Sequence, residues 1–389
     1  MKNKMLLLMK DSFFGTVFSF TIIFLLSFIL LNFSFLNPLK KAIKDFSFLD
    51  VYYSENFNPS KTVNTDIVII NIEHRDRFEL AQLLEIIKTE DPKVIGVDII
   101  FKEKKEAFID SMLSKALQSD KIITSILIEN DEVISSDSFF KNENEPGFIN
   151  FNFNSKTDVI REFSSVTTHN DAVYKSFPTR VMRAFSEEKW KEYNYDSKLT
   201  HDNSIKFHGD YETFLTFGFD EFMANPDKAI VKNKIVLLGY IGTPTGNVYD
   251  IEDKHFTPIN KVTAGKSNPD MFGIVLHANI VNILLKNDFM FRVSNLWLGI
   301  IAFITTFFSF MYIIYMDKKY KISYKSRKKL YLWVFSILFM WLTFLLFKWG
   351  IILKTAPIIA VTVLSCSFKK FYKFTVRYIQ TKISWKSYL

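Results

Sequence analysis

The chain is poor in cysteine. Its 389 residues include one cysteine, Cys366, which lies inside an apolar run, so a disulfide within the chain is excluded. The polar part of the chain must therefore be stabilised by the burial of apolar side chains alone. That part, roughly residues 40–292, is large enough to form such a core.

Recognisable catalytic and metal-binding signatures are also missing. The 6 histidines show no spacing typical of a metal site. The loop that begins at Gly239 follows an apolar run, as phosphate-binding loops do, but it lacks the Lys-Ser/Thr pair of a P-loop. A flexible connection is therefore favoured over a phosphate cradle. These absences predict a protein without catalytic residues, metal or cofactor.

The sequence does contain long apolar runs. At a rise of 1.5 Å per residue even the shortest reaches about 27 Å, close to the roughly 30 Å hydrocarbon core of a bilayer. The first run ends in SFLNPLKK rather than in a small-residue cleavage site, which favours an uncleaved anchor over a signal peptide. We predict four transmembrane helices, one N-terminal and three C-terminal, in the runs 12–39, 293–316, 330–347 and 351–368.

Basic flanks predict the orientation of these helices. The segments 1–11, 317–329 and 369–389 are rich in Lys and Arg, which resist translocation when they lie in short loops. These flanks should be cytoplasmic, so the polar block lies outside the membrane. The net charge of +8 then predicts contact with the lipid bilayer rather than with nucleic acid. The predicted order is an N-terminal anchor, an external domain, three further helices and a basic tail, over residues 1–39, 40–292, 293–368 and 369–389.

Strand and helix patterns alternate through the external block. An apolar run at 66–72 precedes a helical pattern at 77–90 and a second apolar run at 93–101, as in a βαβ unit with parallel strands. A last helix, at 273–285, leads into the second membrane run as a continuous helical connection. The fold class is therefore α/β, with a mainly parallel sheet flanked by helices. Further patterns of the same kinds lie at 107–118, 121–128 and 234–239.

Asp98 interrupts the second apolar run, where an unpaired carboxylate would be costly. Two interpretations stay open: Asp98 lies at the carboxyl edge of the sheet, where α/β proteins bind ligands, or it makes a structural bond to a neighbouring loop. Asn71, Glu73 and His74 follow the first strand and would reach the same edge if the two strands are parallel neighbours. Together with Asp98 they are the predicted ligand-binding crevice.

Asp250 and His277 are further candidate ligand contacts. Asp250 belongs to an acidic loop beside His255, which can contact a cation or a polar ligand, although a solvated acidic loop is favoured. His277 lies on the last helix, where a structural or capping role is favoured for it and for Asn279.

The order of these blocks is similar to that of a known family. The anchor is followed by DIVIINIE, the block at Arg77, KVIGVDIIF, KIVLLG and MFGIVLHANIVNILL. Over about residues 45–316 this resembles the CHASE2 extracellular sensor domain of bacterial signalling receptors. The most specific pieces are the GVDIIF strand, which holds Asp98, and the GIVLHAN helix, which holds His277.

The resemblance implies an extracytoplasmic α/β sensor in a bacterial plasma (inner) membrane, joined through its membrane helices to a cyclase or a kinase. This chain lacks the tryptophan- and proline-rich stretch usual before Arg77. Asn71 stands where an acidic residue is usual, which weakens a cation site there. Only the tail 369–389 follows the last run, so we expect no output domain and a signal that leaves to a separate cytoplasmic protein or an oligomer partner.

Three functional hypotheses follow. The leading one is a non-enzymatic sensor whose external domain binds a small-molecule or protein stimulus and passes the change through the membrane helices. The first alternative is an envelope scaffold or assembly protein whose external domain binds a protein partner. The second is an anchored hydrolase that uses Asp250, His255 or His277, which is disfavoured because no nucleophile and base can be named.

Overall fold

The computed structural model describes residues 2–32, 53, 62–130, 132–151, 159–225, 227–260, 268–320 and 322–389. The chain divides into two compact units. The helical unit comprises Met1–Leu49 and Phe291–Leu389, and the α/β unit comprises Asp50–Met290. The predicted boundary between residues 39 and 40 lies outside the described residues.

The described helices are α1 Lys2–Asn32, α2 Arg77–Thr89, α3 Ala107–Leu117, α4 Phe177–Phe185, α5 Glu187–Glu192, α6 Tyr195–Lys198, α7 Phe219–Ala224, α8 Gly273–Lys286, α9 Asn295–Lys319, α10 Tyr324–Lys348 and α11 Thr355–Lys382. The described strands are β1 Asn64–Asn71, β2 Val94–Val97, β3 Ile122–Glu129, β4 Glu132–Ile134, β5 Gly147–Phe148, β6 Glu162–Phe163, β7 Val166–His169, β8 Ala172–Lys175, β9 Asn203–Ser204, β10 Phe214–Phe217, β11 Ile235–Gly239, β12 Lys254–His255, β13 Met271–Phe272, β14 Phe291–Arg292 and β15 Ile351–Ile352.

The α/β unit is organised around one sheet with the strand order β10-β1-β11-β2-β3-β4. All neighbours in this order are parallel except β4, which is antiparallel to β3. The predicted α/β class with a mainly parallel sheet is confirmed. Strands β1 and β2 are parallel, as the βαβ pattern predicted, but they are not direct neighbours, because β11 lies between them. Every residue of β11 is buried, as expected for a strand at the centre of a parallel sheet.

Helices cover both faces of this sheet. On one face α2, α3 and α7 contribute to one apolar core with the strands. Asp76 begins α2 with a capping box, in which its side chain accepts from the Glu79 N–H and the Glu79 side chain accepts from the Asp76 N–H. On the other face α8 packs on β1 and β11 while α4 packs on β2 and β3. Residues 273–285 of α8 are all buried, so this helix belongs to the core.

Three helices of the helical unit are long and apolar enough to cross a membrane: Asn3–Phe28, Asn295–Lys319 and Tyr324–Lys348. The fourth predicted run, 351–368, is not one helix. It begins with the short strand β15 and continues into α11, which is not among the apolar helices found in the described part of the chain. Helix α11 packs against both α1 and α9.

The predicted continuous helical connection into the second membrane run is wrong. Helix α8 ends at Lys286, and Asn287 follows in the left-handed conformation with φ 51°, which is a common way to end a helix. Residues 287–294 then connect α8 to α9. Within them β14 pairs in parallel with β15, so that Phe291 lies opposite Ile351.

Candidate functional site

The carboxyl ends of the parallel strands meet at one edge of the sheet, where α/β proteins bind ligands. Strand β1 ends at Asn71, β11 ends at Gly239, and Asp98 follows the last residue of β2. The Asp98 N–H donates to the Leu238 carbonyl at 2.9 Å. Asp98 therefore lies at the carboxyl edge, as one of the two interpretations predicted, with β11 between it and Asn71.

Asn71 uses its whole side-chain amide to hold the loop after β11. It is fully buried, and its Nδ2 donates to the Gly242 carbonyl at 2.8 Å and to the Thr245 hydroxyl at 2.9 Å. Its Oδ1 accepts from the N–H of Ile241 at 2.9 Å and of Glu73 at 3.0 Å. Two donors and two acceptor sites are thus occupied. At this position, predicted as a ligand contact, the structure shows a support for the loop.

The carboxylate of Glu73 forms an ion pair with Arg75, whose guanidinium lies 2.8 Å away. Arg75 also contacts Asp220 at 2.7 Å and Glu79 at 3.1 Å. Hydrogen bonds to Asp220 and Glu73 raise the pKa of Arg75 above its usual value. Arg75 was not among the predicted residues, because its partner Asp220 lies far along the chain.

His74 and Asp250 meet around the hydroxyl of Tyr240. The His74 side chain is 61% exposed, and its Nε2 lies 3.2 Å from the Tyr240 hydroxyl, which donates to the Asp250 carboxylate. That hydrogen bond lowers the pKa of Asp250, while burial raises the pKa of Tyr240 to about 12. Glu252 lies 3.7 Å from His74. The group is open to solvent, and sequence reasoning missed Tyr240 although it directly follows β11.

Asp98 and His277 form a second and deeper group. His277 Nε2 lies 3.9 Å from Asp98 Oδ2, and the two side chains are 2% and 9% exposed, respectively. The His277 ring contacts the rings of Phe151 and Phe177, with centroid distances of 4.6 and 5.2 Å. Its Nδ1 is buried without a hydrogen-bond partner among the described residues. Burial raises the pKa of Asp98 to about 8 and lowers the pKa of His277 to about 3.

A further Asp–His pair lies beside this one. Asp253 Oδ1 and His255 Nε2 are 3.9 Å apart, and each side chain keeps more than a third of its surface exposed. Partial burial raises the pKa of Asp253 to about 6 and lowers the pKa of His255. The Asp253 carboxylate lies against Gly273, where a Cβ would come within 2.9 Å of its Oδ2. The loop predicted to be solvated thus places one carboxylate at the beginning of α8.

The charges of one pair influence the pKa values of the other, and both pairs contact the same aromatic ring. The charge of Asp253 contributes to the raised pKa of Asp98, and His255 contributes to the lowered pKa of His277. Phe151 contacts both imidazole rings. No group of three or more possible ligands close enough to hold a metal ion is found in the described part of the chain. The arrangement can therefore exchange protons or meet a polar ligand.

Asn279, two residues after His277, has a structural role. Its Oδ1 accepts from the N–H of His208 at 2.6 Å, and its Nδ2 donates to the Gly209 carbonyl at 2.9 Å. The structural interpretation predicted for both side chains therefore applies to Asn279. His277, by contrast, has a ring nitrogen for which the described part of the chain provides no hydrogen-bond partner.

Comparison with known proteins identifies one family. The model of the CHASE2 domain matches residues 20–313. No curated protein matches the chain, and no solved structure does.

Proposed function

This chain belongs to the CHASE2 family, and from this premise we propose that it is a non-enzymatic sensor module anchored in a bacterial plasma membrane. The α/β unit lies outside the membrane and receives the stimulus. Both chain ends lie in the cytoplasm, where the signal passes to a separate protein. In this proposal the fourth span comprises residues 351–368, which include β15 and the first half of α11, and the basic part of α11 from Lys369 onward lies in the cytoplasm.

The observation that carries this proposal is the meeting of Asp98 and His277. They come from the two sequence blocks that most closely resemble the family, and they lie 3.9 Å apart in the interior of the α/β unit. Two buried ionisable groups that have no other side-chain hydrogen bonds among the described residues are costly for folding alone. Perturbed groups of this kind are concentrated at functional sites. His277 also belongs to α8, the last helix before the membrane helix α9.

A path for the signal follows from the connection between α8 and α9. Residues 287–294 carry β14, whose Phe291 N–H donates to the Gly350 carbonyl at 2.8 Å, and the Val293 N–H donates to the Ile352 carbonyl at 3.1 Å. The second partner segment immediately precedes α11. A displacement of the connection is therefore passed to α9 through the chain and to α11 through these hydrogen bonds.

The experiment measures the contact between helices α9 and α11 in variants with substitutions in the α/β unit. Cysteines replace Thr306 and Thr362, whose hydroxyls lie 3.1 Å apart between α9 and α11, in full-length protein that carries Cys366→Ser. The rate of disulfide formation in membranes is then compared between the parent, His277→Ala and the exposed control His201→Ala. We expect His277→Ala to change the rate by about twofold or more, and His201→Ala to leave it unchanged.

Asp98→Asn provides a second test, because it keeps the side-chain shape and so maintains packing. If neither variant alters the disulfide rate while both proteins remain folded, the sensor function fails. A stoichiometric partner captured by the α/β unit in that case would indicate the scaffold function instead. Orientation is tested by a membrane-impermeant thiol reagent in intact cells, which should label Asp171→Cys and leave Lys325→Cys unlabelled.

A further inference from the structure

We propose that the stimulus of this sensor is the external proton concentration and that the Asp98–His277 pair is the proton site. This inference rests on the sensor function proposed above. It adds the identity of the stimulus, and it assigns the pair a chemical event, the loss of one proton from Asp98 to solvent.

Burial of the pair is the first argument. With 2% and 9% of their side chains exposed, His277 and Asp98 offer almost no surface to a molecular ligand. A proton requires no cavity. It changes the charge of a buried group by one unit, and a charge inside a protein is worth far more than one at its surface.

The lack of other partners is the second argument. The 3.9 Å between His277 Nε2 and Asp98 Oδ2 exceeds hydrogen-bond distance. Among the described residues, the backbone N–H of Asp98 makes a hydrogen bond, whereas the Nδ1 of His277 has no hydrogen-bond partner. A carboxylate fixed by donors would hold its charge over a wide pH range. A carboxyl group without donors, in contrast, is free to be neutral and to ionise near neutral pH.

The surroundings of the pair set where it titrates. Phe177 contacts it from α4 and Phe151 from the segment after β5, and β11 contributes buried apolar residues. Within the described ranges, the ionisable groups that act on it are Asp253 and His255. Asp253 disfavours a second negative charge at Asp98, and His255 disfavours a positive charge at His277. Both neighbours therefore favour the neutral pair.

The resulting titration lies in a range that bacteria meet outside their membrane. With a pKa of about 8 for Asp98 and about 3 for His277, both groups are uncharged at neutral pH. When the external pH rises through about 8, Asp98 releases its proton and a negative charge forms beside α8. The His277 Nε2–H can then donate to this carboxylate if the ring moves closer. Two states of the protein, with His277 farther from Asp98 or closer to it, thus bind one proton with different affinities. Such a difference in affinity is what allows a ligand to shift an equilibrium between two states.

The proton site is tested by infrared spectroscopy on the full-length protein in lipid nanodiscs. Difference spectra between about pH 6 and about pH 9 follow the carbonyl stretch of protonated carboxyl groups. We expect a buried carboxyl band with a midpoint near pH 8, separate from the band of Asp253 with its midpoint near pH 6, and we expect only the former to be absent in Asp98→Asn. The matched control Asp120→Asn, at an exposed carboxylate, should keep the band and its midpoint.

Asp253→Asn separates titration of the pair from a merely structural role. Removing the neighbouring charge should lower the midpoint of the Asp98 band by about half a pH unit, whereas a structural role of Asp253 would leave it unchanged. A band with a midpoint near pH 8 that persists in Asp98→Asn, or a midpoint of that band that does not respond to Asp253→Asn, would overturn the proton site. If the disulfide rate between α9 and α11 responds to His277→Ala but not to pH, the proton inference fails and the sensor function remains.

Discussion

The substitution Asp98→Asn should stabilise the α/β unit, and increasingly so as the pH rises. Asparagine has the shape of aspartate but does not ionise, so it removes the cost of a buried charge. In the unfolded chain Asp98 titrates at its ordinary pKa of 3.8, and in the folded protein at about 8. Between these values the folded state binds more protons than the unfolded state. The stability of the wild type must therefore decrease as the pH rises through this window, and it levels off above it.

The magnitude follows from the same displacement of the pKa. The pKa of Asp98 rises from 3.8 to about 8 on folding. At about 1.4 kcal/mol per pKa unit, the ionised carboxylate destabilises the folded state by at most about 5 to 6 kcal/mol. Relaxation of the protein around a real charge and entry of water reduce such penalties to several kcal/mol. We therefore expect Asp98→Asn to gain about 2 to 4 kcal/mol at pH values above about 8, and about 1 kcal/mol near pH 5.

Pulse proteolysis in urea measures this difference, because the amount of intact α/β unit after a short protease pulse reports the unfolded population. The measurement uses full-length protein in nanodiscs at about pH 5, 7 and 9, with Asp120→Asn as the exposed control. A destabilising Asp98→Asn with the same cost at every pH would refute the reasoning. Such a result would show that the carboxylate is held by donors and is charged throughout.

Three further substitutions test separate parts of the structure. Asn71→Ala should cost about 2 to 4 kcal/mol in the same assay, because it removes four hydrogen bonds and leaves buried backbone groups of the loop after β11 unpaired; a loss under about 0.5 kcal/mol would contradict the role of this amide. Gly239→Ala should cost about 1 to 3 kcal/mol by overpacking, since its Cβ would lie 2.6 Å from the Cβ of Ile274; an unchanged urea midpoint would mean that α8 can move away from the sheet. Asp11→Asn should expose residues 383–389 to trypsin. The reason is that Asp11 Oδ2 accepts hydrogen bonds from the hydroxyl of Ser387 at 2.7 Å and from two backbone N–H groups beyond it. Cleavage at the wild-type rate would show that this contact does not hold the tail.

Features of the fold that depend on local sequence were predictable. The helix predicted at 77–90 is observed at Arg77–Thr89, where a capping box begins it and a regular apolar face packs on the sheet. The helix predicted at 273–285 is observed at Gly273–Lys286. The order of strands was not predictable in the same way. Strand β11 enters the sheet between β1 and β2 although it lies far beyond both in the chain, and nothing in its own residues specifies its neighbours.

The candidate site was predictable as single residues but not as pairs. Asp98 was a candidate because a carboxylate in an apolar run is costly, and His277 was a candidate on the last helix, with a structural role favoured. Their proximity depends on α8 packing on β1 and β11, next to the end of β2, which is a tertiary contact. Asp253 belongs to the acidic loop that was predicted to be solvated, and its approach to α8 depends on Gly273, where the Cβ of any larger residue would meet its carboxylate. Asn71 was predicted as a ligand contact because it lies at the end of β1. An amide at that position can make the same hydrogen bonds to a ligand or to a neighbouring loop.

The end of α8 limits how a signal can leave this unit. A helix that continued into α9 would carry a rotation or a shift as a rigid rod, whereas the left-handed Asn287 ends the helix and removes that option. What remains is the peptide 287–294 and the bridge between β14 and β15, in which Phe291 lies opposite Ile351. Because β15 precedes α11, the connection in the proposed sensor acts on α9 and α11 at once. Gly350→Pro leaves its carbonyl free to accept but fixes φ near −65°, in conflict with the observed φ of 74°. It should therefore break the bridge and remove the effect of His277→Ala on the disulfide rate between α9 and α11, while Gly350→Asn, which tolerates the left-handed region, should preserve that effect.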